Sequence, residues 1–249
     1  MPMAATQLPI ASHRLARLEE MRVSPAGVLA LAREIGERLR VLPRSTAESI
    51  RAVRREYSKR LAKAPAHVVL ELAQILQRQP GFAPRVVASE LLHYHPAARN
   101  HLRARDLVQL GHGMASWGDV DIFSIYLAGP VWRNRRVPDS LIHGWAQSKD
   151  RWWRRAALVS TVPLNSKAQG GAGDPSRTLQ VCRLLMRDRD PMVVKALSWA
   201  LRELSKRDPK AVRAFVNERK EVLPALVLRE VRNKLVTGRK NPKRKTRKK

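Results

Sequence analysis

Asp121 follows Trp117 by four residues and precedes Ser124 by three in SWGDVDIFSIYL (Ser116 to Leu127). On a helix this spacing lines the three up, with Val120, Phe123 and Leu127 on a second face about 90° away. A carboxylate beside an indole is suited to electrostatic work, because a negative charge and an electron-rich ring both meet a cation favourably. A structural reading also exists: Asp119 and Asp121 lie in the first turns, where acids favour the positive helix end. That reading accounts for Asp119 and leaves Asp121 open.

A second candidate face lies on PMVVKALSWALRELSK (Pro191 to Lys206). At about 100° per residue, Val193, Ala196, Leu197, Ala200, Leu201 and Leu204 form one apolar stripe, and Lys195, Trp199, Arg202 and Lys206 fall opposite it. Cations around an indole suit a nucleic acid, since the cations meet phosphates and the ring offers a π face. The alternative is a Trp covered by the next helix among solvated cations. In KDRWWRRAALVST (Lys149 to Thr161), Trp152, Ala156 and Val159 make a core stripe with Trp153 at its edge. Arg151, Arg154 and Arg155 cluster on the other side. Arginine grips phosphate or carboxylate with two parallel hydrogen bonds, though for Arg151 and Arg154 plain solvated arginines are the slightly better reading. Arg51, Arg54, Arg55 and Lys59 give a basic helix surface suited to backbone contact without specificity.

Other reactive types point nowhere in particular. His93 and His95 flank Tyr94 and cannot share one metal at helical spacing, so they read as structural, and His112 sits between glycines in a turn. Trp132 and Trp145 read as core or interhelical packing. No nucleophile triad and no Cys/His zinc spacing is legible, and Cys182 is the one cysteine. The stretch Pro163 to Gly173 lacks the Gly-Lys-Ser/Thr of a nucleotide loop and reads as a flexible connector, with Lys167 touching a nucleic-acid strand as the lesser alternative. No cofactor or metal is expected.

The elements that must position these groups are all helical. Apolar residues recur at helical spacing, predicting helices over about 13–22, 25–41, 46–63, 66–78, 82–93, 97–103, 105–115, 117–128, 138–147, 150–161, 175–187, 191–206, 209–218 and 222–236. Ser24-Pro25, Asp174-Pro175 and Asp190-Pro191 each set a capping side chain before a proline at the first helical position. The second half repeats as helix pairs with Pro or Gly at the joints, the scale of HEAT-like units, whose stacking makes an all-α solenoid with a concave basic groove. The domain spans 13–236, between disordered ends at 1–12 and 237–249. Charge points the same way: 49 Lys and Arg against 21 Asp and Glu give +28 over 249 residues. Eight of the cations fall after Gly238 with no acid among them, so the body is basic too. That excess implies a polyanionic partner and excludes an enzyme balanced near neutrality. All six Trp lie between 117 and 199. Without an apolar run long enough for a membrane or a signal segment, the chain reads as cytoplasmic, nucleoid-associated and monomeric.

In this order, SWGDVD (Ser116 to Asp121), RWWRRAAL (Arg151 to Leu158), VVKALSWALRELSK (Val193 to Lys206) and LREVRNKL (Leu228 to Leu235) resemble the bacterial DNA alkylation repair family, the HEAT-like-repeat glycosylases of the AlkD type. The likeness covers roughly residues 46 to 236. It implies excision of cationic N3- and N7-alkylated purines from duplex DNA without a deep base pocket. It implies Asp121 as the catalytic carboxylate, Trp117 and Trp199 as the indoles at the deoxyribose, and Arg155 as the arginine on the DNA backbone. Lys195, Arg202, Arg151, Arg154, Lys206, Arg51 and Arg54 are assigned phosphate contact. The family often reads Trp-Trp-Asp before its acid, whereas here Gly118 follows Trp117. The competing expectation is a HEAT-like protein that binds damaged or branched DNA and cuts no bond, and a protein-interaction scaffold is a third.

Overall fold

Short polar side chains and prolines set the helix starts. In the computed structural model, which describes residues 24–242, Ser24 Oγ accepts from the Gly27 amide at 3.2 Å and Pro25 opens α1 (Pro25–Arg40). Thr46 and Ser49 bond reciprocally at the start of α2 (Ala47–Arg60). Next come α3 (Ala66–Arg78), α4 (Phe82–Tyr94) and α5 (Pro96–His101), which complete the first of two compact units. Its interior is the inward stripe of each helix: Ala32 and Ile35 on α1, Val53 and Tyr57 on α2, Leu72 and Leu76 on α3, Leu91 and Leu92 on α4. His95 is buried and its Nδ1 accepts the Ala98 amide at 3.1 Å, capping α5 as a structural residue.

The second unit begins at Leu102. It runs through α6 (Ala104–Gly111), α7 (Trp117–Phe123), α8 (Gly129–Arg133), α9 (Asp139–Ala146), α10 (Arg151–Val159), α11 (Val162–Asn165), α12 (Pro175–Leu185), α13 (Pro191–Leu204), α14 (Pro209–Glu218) and α15 (Ala225–Thr237). Among the described residues there is no strand, so the chain is all-α. Asp174, Asp190 and Asp208 each cap a helix whose next residue is proline. Helix α10 packs against α7, α9 and α13, and α13 in turn against α12 and α15. Helices thus meet near neighbours along the chain, as stacked helical repeats do. The helix and terminus expected within 1–23, and the tail at 243–249, lie outside the described residues.

Two expectations are corrected. The helix predicted to end at 128 continues to Arg133 through a π-helical turn, Ser124–Ala128. Pro130 has no amide to donate and its ring crowds the preceding turn; the wider coil accommodates both, with the Gly129 amide reaching back to Ser124. Gly129 is required there, because a Cβ would stand 2.6 Å from Pro163 Cγ and 2.8 Å from the Ser160 carbonyl oxygen. The stretch 163–173 is no free connector either. Part of it is helical, and Arg207 donates to the carbonyls of Asn165 at 2.8 Å and Gly171 at 2.6 Å. Arg133 binds the Gln169 carbonyl. Its glycines permit close packing: a Cβ on Gly171 would lie 2.5 Å from the Pro163 carbonyl oxygen.

Candidate functional site

Ser116 fixes the start of α7. Its Oγ accepts the Asp119 amide at 3.2 Å, and Asp119 Oδ2 accepts the Ser116 and Ala115 amides, both at 3.1 Å. Asp119 is therefore structural, as its place at the positive helix end suggested, and acts through a reciprocal capping box with Ser116. The cap places Trp117 at the first helical position, 62% exposed, and Asp121 one turn further, with its side chain 19% exposed. The π turn begins three residues after Asp121, a distortion frequent at functional sites.

Asp121 is held from α10. Arg155 Nε donates to Oδ1 and Nη2 to Oδ2, each at 3.0 Å, in a fork that fixes the plane of the carboxylate. Arg155 Nη1 donates to the Met192 carbonyl at 2.6 Å, so one buried guanidinium ties α7, α10 and the first turn of α13 together. Burial pushes the Asp121 carboxyl above its ordinary value, and the charge and hydrogen bonds of Arg155 pull against that rise without cancelling it. Ionised, the group is a poorly solvated negative charge on a fixed plane. A carboxylate has acceptor capacity beyond the two bonds of the fork, and this side chain keeps 19% of its surface open to solvent.

Arg155 is thus not among the exposed cations of α10. The helix is covered from three sides, which widens its buried arc until that arc includes position 155. Both indoles of this helix are half-buried, as expected for Trp153 and less than expected for Trp152. Trp153, expected at the edge of the stripe, meets Trp145 in a tilted contact at 4.9 Å and Phe123 edge-on at 6.1 Å, against Gly111. Trp152, expected in the stripe, lies half-buried under the Arg151 guanidinium at 4.8 Å. Trp132 and Trp145 are buried as expected, Trp132 donating to Asp139 Oδ1 at 2.7 Å.

On α13 the expected stripe Val193, Ala196, Leu197, Ala200, Leu201 and Leu204 is buried, Lys195 is exposed and Trp199 half-buried. Most of the other cations assigned to phosphate already have acidic partners. Lys206 Nζ lies 2.7 Å from Glu203 Oε2. Arg154 bonds Asp188 at 2.7 Å and the carbonyls of Ser148 and Lys149, while Arg151 reaches Asp190 at 3.5 Å. Arg202 donates to Ser198 Oγ at 3.2 Å and sits 3.7 Å from Glu230, its own pKa lowered by burial. In the first unit, Arg51 and Arg54 both converge on the buried Glu90, at 2.8 and 3.0 Å, and Arg54 also covers the Tyr94 ring. Lys195 alone of this set has no ion pair or side-chain hydrogen bond among the described residues.

The sequence reading missed two organising acids. Glu230, buried on α15, accepts Ser198 Oγ at 2.6 Å and Lys240 Nζ at 3.2 Å, and Glu90 does the equivalent on α4. Their signal was register: each occupies an apolar helix stripe, beside Val227 and Val231 or Val86, Val87 and Leu91, where an acid needs a buried partner.

A sequence-family profile described as DNA alkylation repair enzyme matches residues 45–235. Neither curated proteins nor solved structures gave a match.

Proposed function

The chain belongs to the DNA alkylation repair enzyme family, which gives it a role in DNA repair, and from that premise we propose that it is a DNA glycosylase that releases cationic N3- and N7-alkylated purines from duplex DNA. The observation that carries the proposal is Asp121: a partly buried carboxylate, oriented by a forked arginine, one helical turn from an exposed indole.

A purine alkylated at N7 or N3 already bears positive charge. When its glycosidic bond breaks, the bond pair leaves with the base, which departs neutral and needs no general acid. Positive charge then develops on the deoxyribose. A fixed, poorly hydrated anion stabilises that charge more than a solvated one, because it acts in a low dielectric and needs no reorganisation. Water adds at C1′ from the side of Asp121, whose carboxylate orients it and takes up its proton. Trp117 and Trp199 offer π faces to the cationic sugar. Arg155 acts first on Asp121, since three of its five N–H groups are committed to Asp121 and Met192; its two remaining donors are the ones left for a DNA phosphate. Lys195 makes a direct phosphate contact, and Arg202, Arg151, Arg154, Lys206, Arg51 and Arg54 do so by exchanging acidic partners for phosphate.

The same fork supports a second reading, in which Asp121 and Arg155 are a structural ion pair in a protein that binds damaged DNA without cleaving it. Mass spectrometry of bases freed from methylated duplex DNA separates the two. Freed alkylpurine supports the glycosylase, whereas intact DNA with steeply salt-dependent binding supports the binding protein.

A further inference from the structure

The C-terminal ends of α14 and α15 enclose a groove of about 220 Å³, lined by Arg213, Val216, Asn217, Arg232, Leu235 and Val236. Val236 is 79% exposed at its rim. Pockets for drug-sized ligands start at roughly 300 Å³, so this one has room for a single large side chain. Its two arginines differ from most of the cations above: both are exposed, and neither has an ion pair or side-chain hydrogen bond among the described residues. A valine and leucine wall flanked by two unpaired guanidinium groups asks for an apolar group carried between carboxylates.

We propose that this groove is a docking site for an acidic partner segment that inserts one large apolar side chain over Val216, Leu235 and Val236 while flanking carboxylates pair with Arg213 and Arg232. Charge selects that occupant. The chain's own last residues are basic without an acid, and a second copy carries the same +28, so both are repelled. A DNA backbone would satisfy the arginines but offers nothing to cover the apolar wall. Exposed amphipathic clefts of this kind are filled by anchored peptides, with the apolar anchor giving affinity and the charged rim giving register.

The test uses the full chain and a labelled peptide of Asp and Glu with one central Leu, against the same peptide with Ser at the centre, followed by fluorescence anisotropy near physiological salt. The Leu peptide is expected to bind about tenfold or more tightly than the Ser peptide, the worth of one buried Leu. Val236→Ser should erase that difference, and Arg232→Glu should weaken the Leu peptide about tenfold or more. Equal binding of the two peptides by the unaltered protein overturns the proposal, and this comparison does not depend on a variant folding. An Arg213→Glu/Arg232→Glu variant that loses undamaged duplex DNA as strongly as it loses the Leu peptide also overturns it, making the groove a nucleic-acid surface. Because base release plays no part in these readouts, the outcome is independent of the glycosylase reading.

Discussion

Replacing Arg155 with Gln removes the two donors that hold Asp121 and the one on the Met192 carbonyl. What remains is a carboxylate with little solvent and no cation. Breaking a buried ion pair from one side costs about 3–5 kcal/mol when the remaining charge is sealed in. Asp121 keeps some solvent contact and can take up a proton, so the loss at neutral pH should be about 2–3 kcal/mol. In a chain of this size that lowers the thermal midpoint by about 5–10 °C. The sign with pH follows from the causes acting on the carboxyl. Burial already holds it above the ordinary 3.8, and Arg155 is what restrains the rise, so the variant's Asp121 sits higher still. A carboxyl whose folded pKa is raised contributes most when protonated and progressively less as pH climbs from its unfolded value through its folded one. The deficit of Arg155→Gln should therefore shrink as pH falls, and Asp121→Asn/Arg155→Gln, with no charge left to bury, should be more stable than the sum of the single losses implies. Circular-dichroism melts of the four proteins at neutral pH and at about pH 5 measure this. A deficit equal at both pH values, or strict additivity in the cycle, would refute the view that Arg155 serves to hold Asp121.

Three further outcomes follow from the same geometry. Trp117→Ala should leave stability within about 0.5 kcal/mol of the parent, since the ring is exposed, yet slow base release about tenfold in single-turnover assays by removing a cation–π contact. The rate of base release should rise with pH along an acid limb displaced upward from the ordinary Asp value, because catalysis needs ionised Asp121; a pH–rate profile reads it, and Arg155→Gln should move the limb higher. Gly129→Ala should cost about 1–3 kcal/mol in denaturant titration, since the added methyl would overlap Pro163 at 2.6 Å and the Ser160 carbonyl at 2.8 Å.

Helix existence was legible because it rests on local rules: Asp174 before Pro175, Asp190 before Pro191, and stripes such as Val193 to Leu204 specify starts and inward faces without tertiary information. The stripe arithmetic also located Lys195 on a surface that solvent reaches. It failed where a neighbour decides. A helix covered from several sides has no single outside, so position 155 reads as exposed and is buried, and Trp152 reads as core and is only half-buried. The continuation past 128 was not legible, because the π turn that accommodates Pro130 and the packing of Gly129 on Pro163 belong to the fold. The Gly-rich run after Pro163 reads as loose because the arginines that pin it, Arg133 and Arg207, lie 30 or more residues away in sequence. Cations present the same difficulty: their number is plain, but their pairing with Glu90, Asp188 and Glu230 belongs to the fold.

The central claim is that Asp121 performs chemistry rather than merely neutralising Arg155. It is tested most directly by measuring 7-methylguanine freed from methylated duplex DNA, by mass spectrometry, with the unaltered protein and with Asp121→Asn, each checked for duplex binding. The account predicts release by the first and its loss in the second with binding nearly unchanged. Undiminished release by Asp121→Asn would contradict it.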